Sequence, residues 1–403
     1  MSGAAAMRLQ KLGELDVANR RVFVRVDFNV PLDERGAISE DTRIRAAVPT
    51  IQDLVKRGAQ VVLASHLGRP RKGPEEGLRL APCAKRLSEL LGRPVLALRE
   101  CVGPEVAKAL AALKAGDVVL LENVRFHPEE EKGDAAFAAQ LANGAERYVN
   151  DAFGTAHRAH ASVTGVAALL PAKARAAGLL MEKEIAALDR LLANVLKPFV
   201  AVLGGAKVSD KIKVVDQLLD RVDALLIGGG MAYTFLAAQG RKIGASKLEK
   251  ERLDVAKAAL AKAAARQVRL LLPVDHVAAA SFAENAPPER IDGVDIPEGK
   301  LGLDIGPKTI AAFQKEIAGA KTVVWNGPLG VFEWASFAAG SKAIAEAIAA
   351  NRNTTVVGGG DSVAVIEKFG LEGRFTHVST GGGAFLEALE GETLPGVKAL
   401  LLD

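Results

Sequence analysis

Cysteine is nearly absent: Cys83 and Cys101 are the only two in 403 residues. That is too few for a disulfide framework, so a reducing, cytoplasmic setting is expected. Aromatic residues make up only 4% of the chain. Cores built from Ala, Val, Leu and Ile are left, which suits helices packed on parallel strands. No apolar run reaches the roughly 18 residues a spanning helix needs. The opening MSGAAAMRLQKLGELD lacks the basic-then-apolar layout of a signal peptide and reads as a frayed or extended N-terminus. A net charge of +4, with no basic run interleaved with aromatics, argues against nucleic-acid binding. No G-x-S-x-G elbow and no catalytic-cysteine signature is present, so no covalent intermediate is expected.

What the chain does have is length for two domains and a recurring strand–turn–helix order. Strands are expected near 22–27, 60–65, 95–98, 118–121 and 147–150. They are expected again near 199–203, 223–227, 269–272, 322–325, 355–357 and 376–379. Helix patterns lie between them, which implies α/β units on parallel sheets. MEKEIAALDRLLAN (181–194) has the pattern of a helix connecting two halves. The stretch 281–306, rich in Pro, Gly and acids, reads as loop with short extended pieces. The apolar end LPGVKALLLD (394–403) is expected to dock rather than dangle.

The strand ends differ between the halves. In the first they run into charged residues: RVFVRVDFNVP (21–31), VVLASHLGRP (61–70), VVLLENVRFH (118–127) and YVNDAFGTAHR (148–158). In the second they run into glycine: FVAVLGGAKVSDK (199–211), ALLIGGGM (224–231), TVVGGGDS (355–362) and HVSTGGGAF (377–385). Ligands of open parallel sheets bind at the carboxyl ends of strands. Two chemistries therefore imply two ligands, a small anion and a nucleotide. Arginine is skewed the same way, with 18 in residues 1–180 and 9 in 181–403. Its fork-shaped donors suit carboxylate and phosphate.

Asp27, Asn29, Arg43, His66, Arg69, Arg125 and Arg158 each stand at or just beyond a strand, or at a helix start. Asp27 is either a substrate ligand or a partner for one of these arginines. In Gly204–Lys211 two glycines follow a strand and are expected to open a helix, with Lys207 and Lys211 four apart on one helical face. In Gly358–Gly359–Gly360–Asp361–Ser362, Asp361 is either a helix cap or an oxygen ligand for Mg²⁺. Ser379–Thr380–Gly381–Gly382–Gly383 is a further glycine-rich helix start. His157 and His160 are three apart, but no third His or Cys lies near them in sequence, so a zinc site is not expected. The Walker A spacing is missing, and so is G-x-G-x-x-G with an acid about 20 residues on, whose absence disfavours a nucleotide-dependent oxidoreductase. A non-catalytic binding protein would need neither Lys207 nor Asp361.

These segments together resemble phosphoglycerate kinase, from RVDFNVP (25–31) to LPGV (394–397). Others include SHLGRP (65–70), NDAFGTAHRAH (150–160), LGGAKVSDKI (203–212), WNGPLGVFE (325–333) and STGGGA (379–384). The resemblance implies two Rossmann-like lobes, each a mainly parallel sheet flanked by helices. An N-lobe over 1–180 would bind triose phosphate, and 181–198 would be connector and hinge. A C-lobe over 199–390 would bind nucleotide, and a tail over 391–403 would return to the N-lobe. It implies phosphoryl transfer between ATP and the carboxylate of 3-phosphoglycerate, giving ADP and 1,3-bisphosphoglycerate, in a monomer. By resemblance the triose site comprises Asp27, Asn29, Arg43, His66, Arg69, Arg125 and Arg158. The nucleotide site comprises Lys207, Lys211, Gly302, Asn326, Glu333, Gly359, Gly360, Asp361 and Ser362, with Asp361 holding Mg²⁺. Arg43, Lys207 and the backbone of Gly381, Gly382 and Gly383 would serve the transferring group. Two departures are visible: Ser362 stands where the family commonly has Thr, and MSGAAA extends beyond the usual start.

Overall fold

In the computed structural model, which describes residues 8–71 and 73–402, the first half builds one six-stranded sheet. Its strands are β1 (Arg21–Val26), β2 (Gln60–Ala64), β3 (Leu96–Ala97), β4 (Val118–Leu120), β5 (Arg147–Asp151) and β6 (Arg175–Ala177). They lie in the order β3-β4-β2-β1-β5-β6, and every pair is parallel. The central strands are buried along nearly their whole length, as a sheet covered on both faces requires. Helix Thr42–Lys56 supplies part of that cover by burying Ile44, Ala47, Ile51 and Leu54. Helix Ala81–Leu91 starts with Pro82 in its first turn and stops at Gly92 in the left-handed region. The edge strand β6 was not expected: Arg-Ala-Ala carries neither β-branched nor aromatic residues.

The second half builds a second six-stranded sheet from β7 (Phe199–Leu203), β8 (Ala224–Ile227), β9 (Arg269–Leu271), β13 (Thr322–Asn326), β14 (Thr354–Gly358) and β15 (His377–Val378). The order is β15-β14-β13-β7-β8-β9, again all parallel. Between β9 and β13 the chain forms β10 (His276–Ala279), β11 (Glu289–Ile291) and β12 (Leu301–Ile305). These three pair antiparallel in a sheet of their own, with a register shift at Val277/Ala278. The short extended pieces expected in 281–306 are β11 and β12, held by pairing distant in sequence, while β10 lies before that stretch and was not expected.

The chain divides into two units, Met1–Ala186 with Thr393–Asp403, and Ala187–Glu392. The first boundary falls inside helix Leu179–Leu192, later than the start of the expected connector. That helix is tied to the first unit at its beginning: the amides of Leu180 and Met181 donate to Asp151 Oδ1 at 2.9 and 3.2 Å. The C-terminal segment packs on the first unit. Gly396 donates to the Ala156 carbonyl at 2.7 Å, Arg175 Nη1 donates to Ala399 at 3.1 Å, and Leu401 bridges to Leu9. The leading MSGAAA lies outside the described residues.

Candidate functional sites

The carboxyl ends of β1, β2, β4 and β5 deliver most of the first unit's expected residues. Asp27 is almost fully buried, and its Oδ2 accepts a hydrogen bond from Arg43 Nη1 at 2.9 Å. Asp27 thus has an arginine partner. Arg43 comes from the first turn of its helix. Asn29 Oδ1 accepts from the Gly68 amide at 2.8 Å, and Arg125 Nη1 donates to the Gly68 carbonyl at 3.0 Å. Arg125 Nε lies 3.1 Å from Glu131 Oε1 without hydrogen-bonding alignment. Arg69 and Arg158 are exposed. The set is close enough for its charges to repel one another: Arg69 acts on Arg125, Arg43 and Arg125 on His66, and Arg158 on His157 and His160.

Sequence reasoning missed Arg25, the largest cation in this core. It is wholly buried. Its Nε donates to Ser162 Oγ at 2.8 Å, its Nη1 donates to the Val26 carbonyl, and its Nη2 lies 3.1 Å from His66 Nδ1. A guanidinium can only donate, so His66 Nδ1 accepts and its proton sits on Nε2. Ser162 in turn donates to the buried Glu130, with its Oγ at 2.5 Å and its amide at 2.9 Å. The signal was available: a lone arginine inside the apolar run RVFVRV.

Burial, then the charges of Arg25, Arg125 and Arg43, hold His66 well below the ordinary histidine range. Burial and nearby arginines push His157 and His160 down to about 4. All three imidazoles are therefore neutral at pH 7. The surface is positive through its guanidiniums alone, which keep their charge at any physiological pH.

The second unit carries a cavity of about 450 Å³, lined among others by Gly205, Gly229, Gly302, Glu333 and Asp361. A neighbouring hollow of about 220 Å³ is lined by Lys211, Asn326, Gly359, Gly360, Asp361, Ser362 and Gly382. Asp361 lines both. Bare backbone is obligatory here. A Cβ on Gly302 would fall 2.0 Å from the Tyr233 hydroxyl. One on Gly359, whose φ is +97°, would fall 2.5 Å from Asn326 Nδ2. Helices Gly360–Lys368 and Gly382–Leu389 both start at this hollow, and a Cβ on Gly382 would stand 3.3 Å from the Gly359 Cα. Two helix N-termini so close present free amides and positive dipole ends to one anion.

Lys211 Nζ donates to Asn326 Oδ1, whose Nδ2 donates to the Gly358 carbonyl at 2.7 Å. Burial pushes the Lys211 ammonium down to about 8, against the opposing pull of Asp361 and Asp210. Lys207 and Lys211 do not share a helical face, because the helix begins only at Ile212. Lys207 is exposed and lines neither hollow. The intervening loop is closed by Glu249, which accepts from the amides of Val208 and Ser209 and from Ser209 Oγ. Asp361 is not the helix cap: Gly359 occupies that position and Asp361 sits in the first turn with its side chain exposed. An exposed carboxylate on the wall of this hollow is a hard oxygen donor of the kind a divalent cation takes. Ser362 Oγ accepts from the Gly327 amide at 2.7 Å and so braces the hollow's rim. Phe282, also missed, is 66% exposed, tilts against Trp334 at 4.7 Å and walls the larger cavity beside Leu303 and Val331.

Comparison with known proteins gives a consistent result. The family model for phosphoglycerate kinase matches residues 12–392. The chain is 56% identical over 389 residues to a phosphoglycerate kinase of Moorella thermoacetica, covering 96% of this chain and 98% of that one. It is 54% identical over 395 residues to that of Nostoc punctiforme, covering 97% and 98%. Among solved structures it is similar to phosphoglycerate kinase from Coxiella burnetii, with a TM-score of 0.87, 43% identity and 98% and 99% coverage. The Pyrococcus horikoshii structure follows at a TM-score of 0.83 and 36% identity, covering 97% and 98%.

Proposed function

Since this chain belongs to the phosphoglycerate kinase family, it catalyses phosphoryl transfer between ATP and the carboxylate of 3-phosphoglycerate, and we propose how its residues divide that work. The arginine cluster of the first unit binds the triose phosphate. Arg43, Arg69, Arg125 and Arg158 meet its charges, Asn29 and the neutral His66 hydrogen-bond it, and Asp27 fixes the direction of Arg43. The glycine-lined cavity of the second unit binds the nucleotide. Gly302 and Phe282 flank the base, and Glu333, Asn326 and Ser362 shape the walls. Lys211 and the helix starts at Gly359–Gly360 and Gly381–Gly383 hold the phosphates. The observation that carries this reading is the meeting of two helix N-termini beside Lys211 and Asp361.

The acceptor carboxylate is already ionised at neutral pH, so no general base is required. Transfer through a loose transition state asks mainly for alignment and charge stabilisation. Arg43, Lys207 and the Gly382 backbone supply it, each cation contributing roughly 3–5 kcal/mol. Asp361 would hold Mg²⁺, which neutralises charge on the nucleotide's phosphates. Water must be excluded while the ligands are in line, so we assign 181–198 as the hinge on which the units close. Helix Leu179–Leu192, which carries the chain from one unit to the next, supports this. We read the molecule as a monomer, the state its family resemblance implies. No helix among the described residues is long and apolar enough to cross a membrane. Two free, buried thiols support a cytoplasmic location.

The test is a coupled assay of ATP formation from 1,3-bisphosphoglycerate and ADP with Lys207→Ala. Turnover should fall by about 10²–10³, while the ADP dissociation constant moves only a few-fold. Undiminished turnover would remove Lys207 from the transfer step.

A further inference from the structure

The loops that follow β3 and β4 bring together a thiol, an imidazole and a carboxylate that the reaction does not use. Cys101 Sγ, a His127 ring nitrogen and a Glu100 carboxylate oxygen all lie within 4.8 Å of one another. It is the one such group of three among the described residues; His157 and His160 form none. We propose that Glu100, Cys101 and His127 form a binding site for a thiophilic divalent cation of the Zn²⁺ type, distinct from the nucleotide's Mg²⁺.

Ligand chemistry supports this. Zn²⁺ takes mixed S, N and O donors at about 2.0–2.3 Å, which places tetrahedral donors about 3.4–3.6 Å apart. His127 Nε2 and Glu100 Oε2 already stand 3.1 Å apart. The donors are pre-positioned by the sheet. Leu98 donates to the Leu120 carbonyl at 2.9 Å and Glu122 to the Glu100 carbonyl at 3.3 Å, tying one loop to the other. The His127 ring is held against Phe137 at 5.1 Å between centroids. Cys101 is 1% exposed, with Glu100 and the half-buried His127 nearer the solvent, so the thiol forms the floor of the site. The acidic side chain of Glu100 beside the thiol and imidazole gives the site the negative charge a divalent cation requires. Binding releases the thiol proton to solvent. The imidazole proton moves to Nδ1, freeing Nε2 as donor atom, and water completes the shell.

Co²⁺ is the direct probe, because a thiolate ligand gives it a near-ultraviolet sulfur-to-metal charge-transfer band. The nucleotide-free chain, first stripped with a chelator, should bind one Co²⁺ with that band. An equimolar amount of Zn²⁺ should abolish the band, and a large excess of Mg²⁺ should leave it. Cys101→Ser should lose it and Cys83→Ser should keep it. His127→Gln, at a partly exposed position where folding is not at stake, should weaken Co²⁺ affinity at least tenfold. No charge-transfer band in the wild-type chain, a band that survives Cys101→Ser, or unchanged affinity in His127→Gln would overturn the proposal.

Discussion

Arg25 Nη2 and His66 Nδ1 stand 3.1 Å apart with both side chains buried, so a permanent cation fixes the imidazole's tautomer from beneath. His66 thus offers an Nε2–H donor rather than a titrating charge. Its folded pKa lies well below the unfolded value, so the stability it contributes is present above about pH 6.5 and is lost as pH falls. Nitrogen-detected NMR should show His66 as the Nε2–H tautomer, without titration through the ordinary histidine range. Arg25→Met should destabilise the chain by roughly 3 kcal/mol, because His66 Nδ1, Ser162 Oγ and the Val26 carbonyl lose their buried donor, and should raise the His66 pKa. A wild-type His66 titrating near 6.5 would contradict this.

Asp151 starts the helix that leaves the first unit, and burial pushes its carboxyl up to about 6 despite the hydrogen bonds from Thr50, Met181 and Leu180. A raised carboxyl pKa means the folded state holds the proton more tightly. Stability should therefore fall as pH rises from about 4 to about 6, by on the order of 2–3 kcal/mol. Asp151→Asn keeps an acceptor for the two helix amides and removes the charge. Urea midpoints measured from pH 4 to 8 should show the variant gaining on wild type with rising pH and levelling above about 6.5. A constant difference across the range would refute this role.

Lys211, held down at about 8, must be protonated to meet phosphate. ADP affinity should be flat below that pH and fall up to tenfold per unit above it. Calorimetry in buffers of different ionisation enthalpy should detect proton uptake on binding near pH 8.5. Lys211→Met should abolish both the uptake and the slope.

Most strand ends were legible in the sequence because an apolar run stops where a charged residue or a glycine begins. Where that contrast is missing, the reading fails. The alanines of β6 carry no strand signal. β10 was not expected, and the short antiparallel strands β10–β12 are set by pairing across 11 to 29 residues rather than by local pattern. Arg25 hid inside its own strand because a buried cation breaks the rule that apolar runs stay apolar. The roles of Asp27 and Asp361 were left open by sequence. Only coordinates could give the first an arginine partner and deny the second the cap position. The helix start at Ile212 was misplaced because Glu249, a residue forty positions away, holds the preceding amides out of the helix.

The division of labour between the units is tested most directly by calorimetry on Arg158→Ala with each ligand in turn. Arg158 is exposed, so its loss should leave the fold intact. The account predicts 3-phosphoglycerate binding weakened by roughly ten- to a hundredfold, the scale of one charged hydrogen bond, with ADP binding unchanged. Weakened ADP binding with intact 3-phosphoglycerate binding would contradict it.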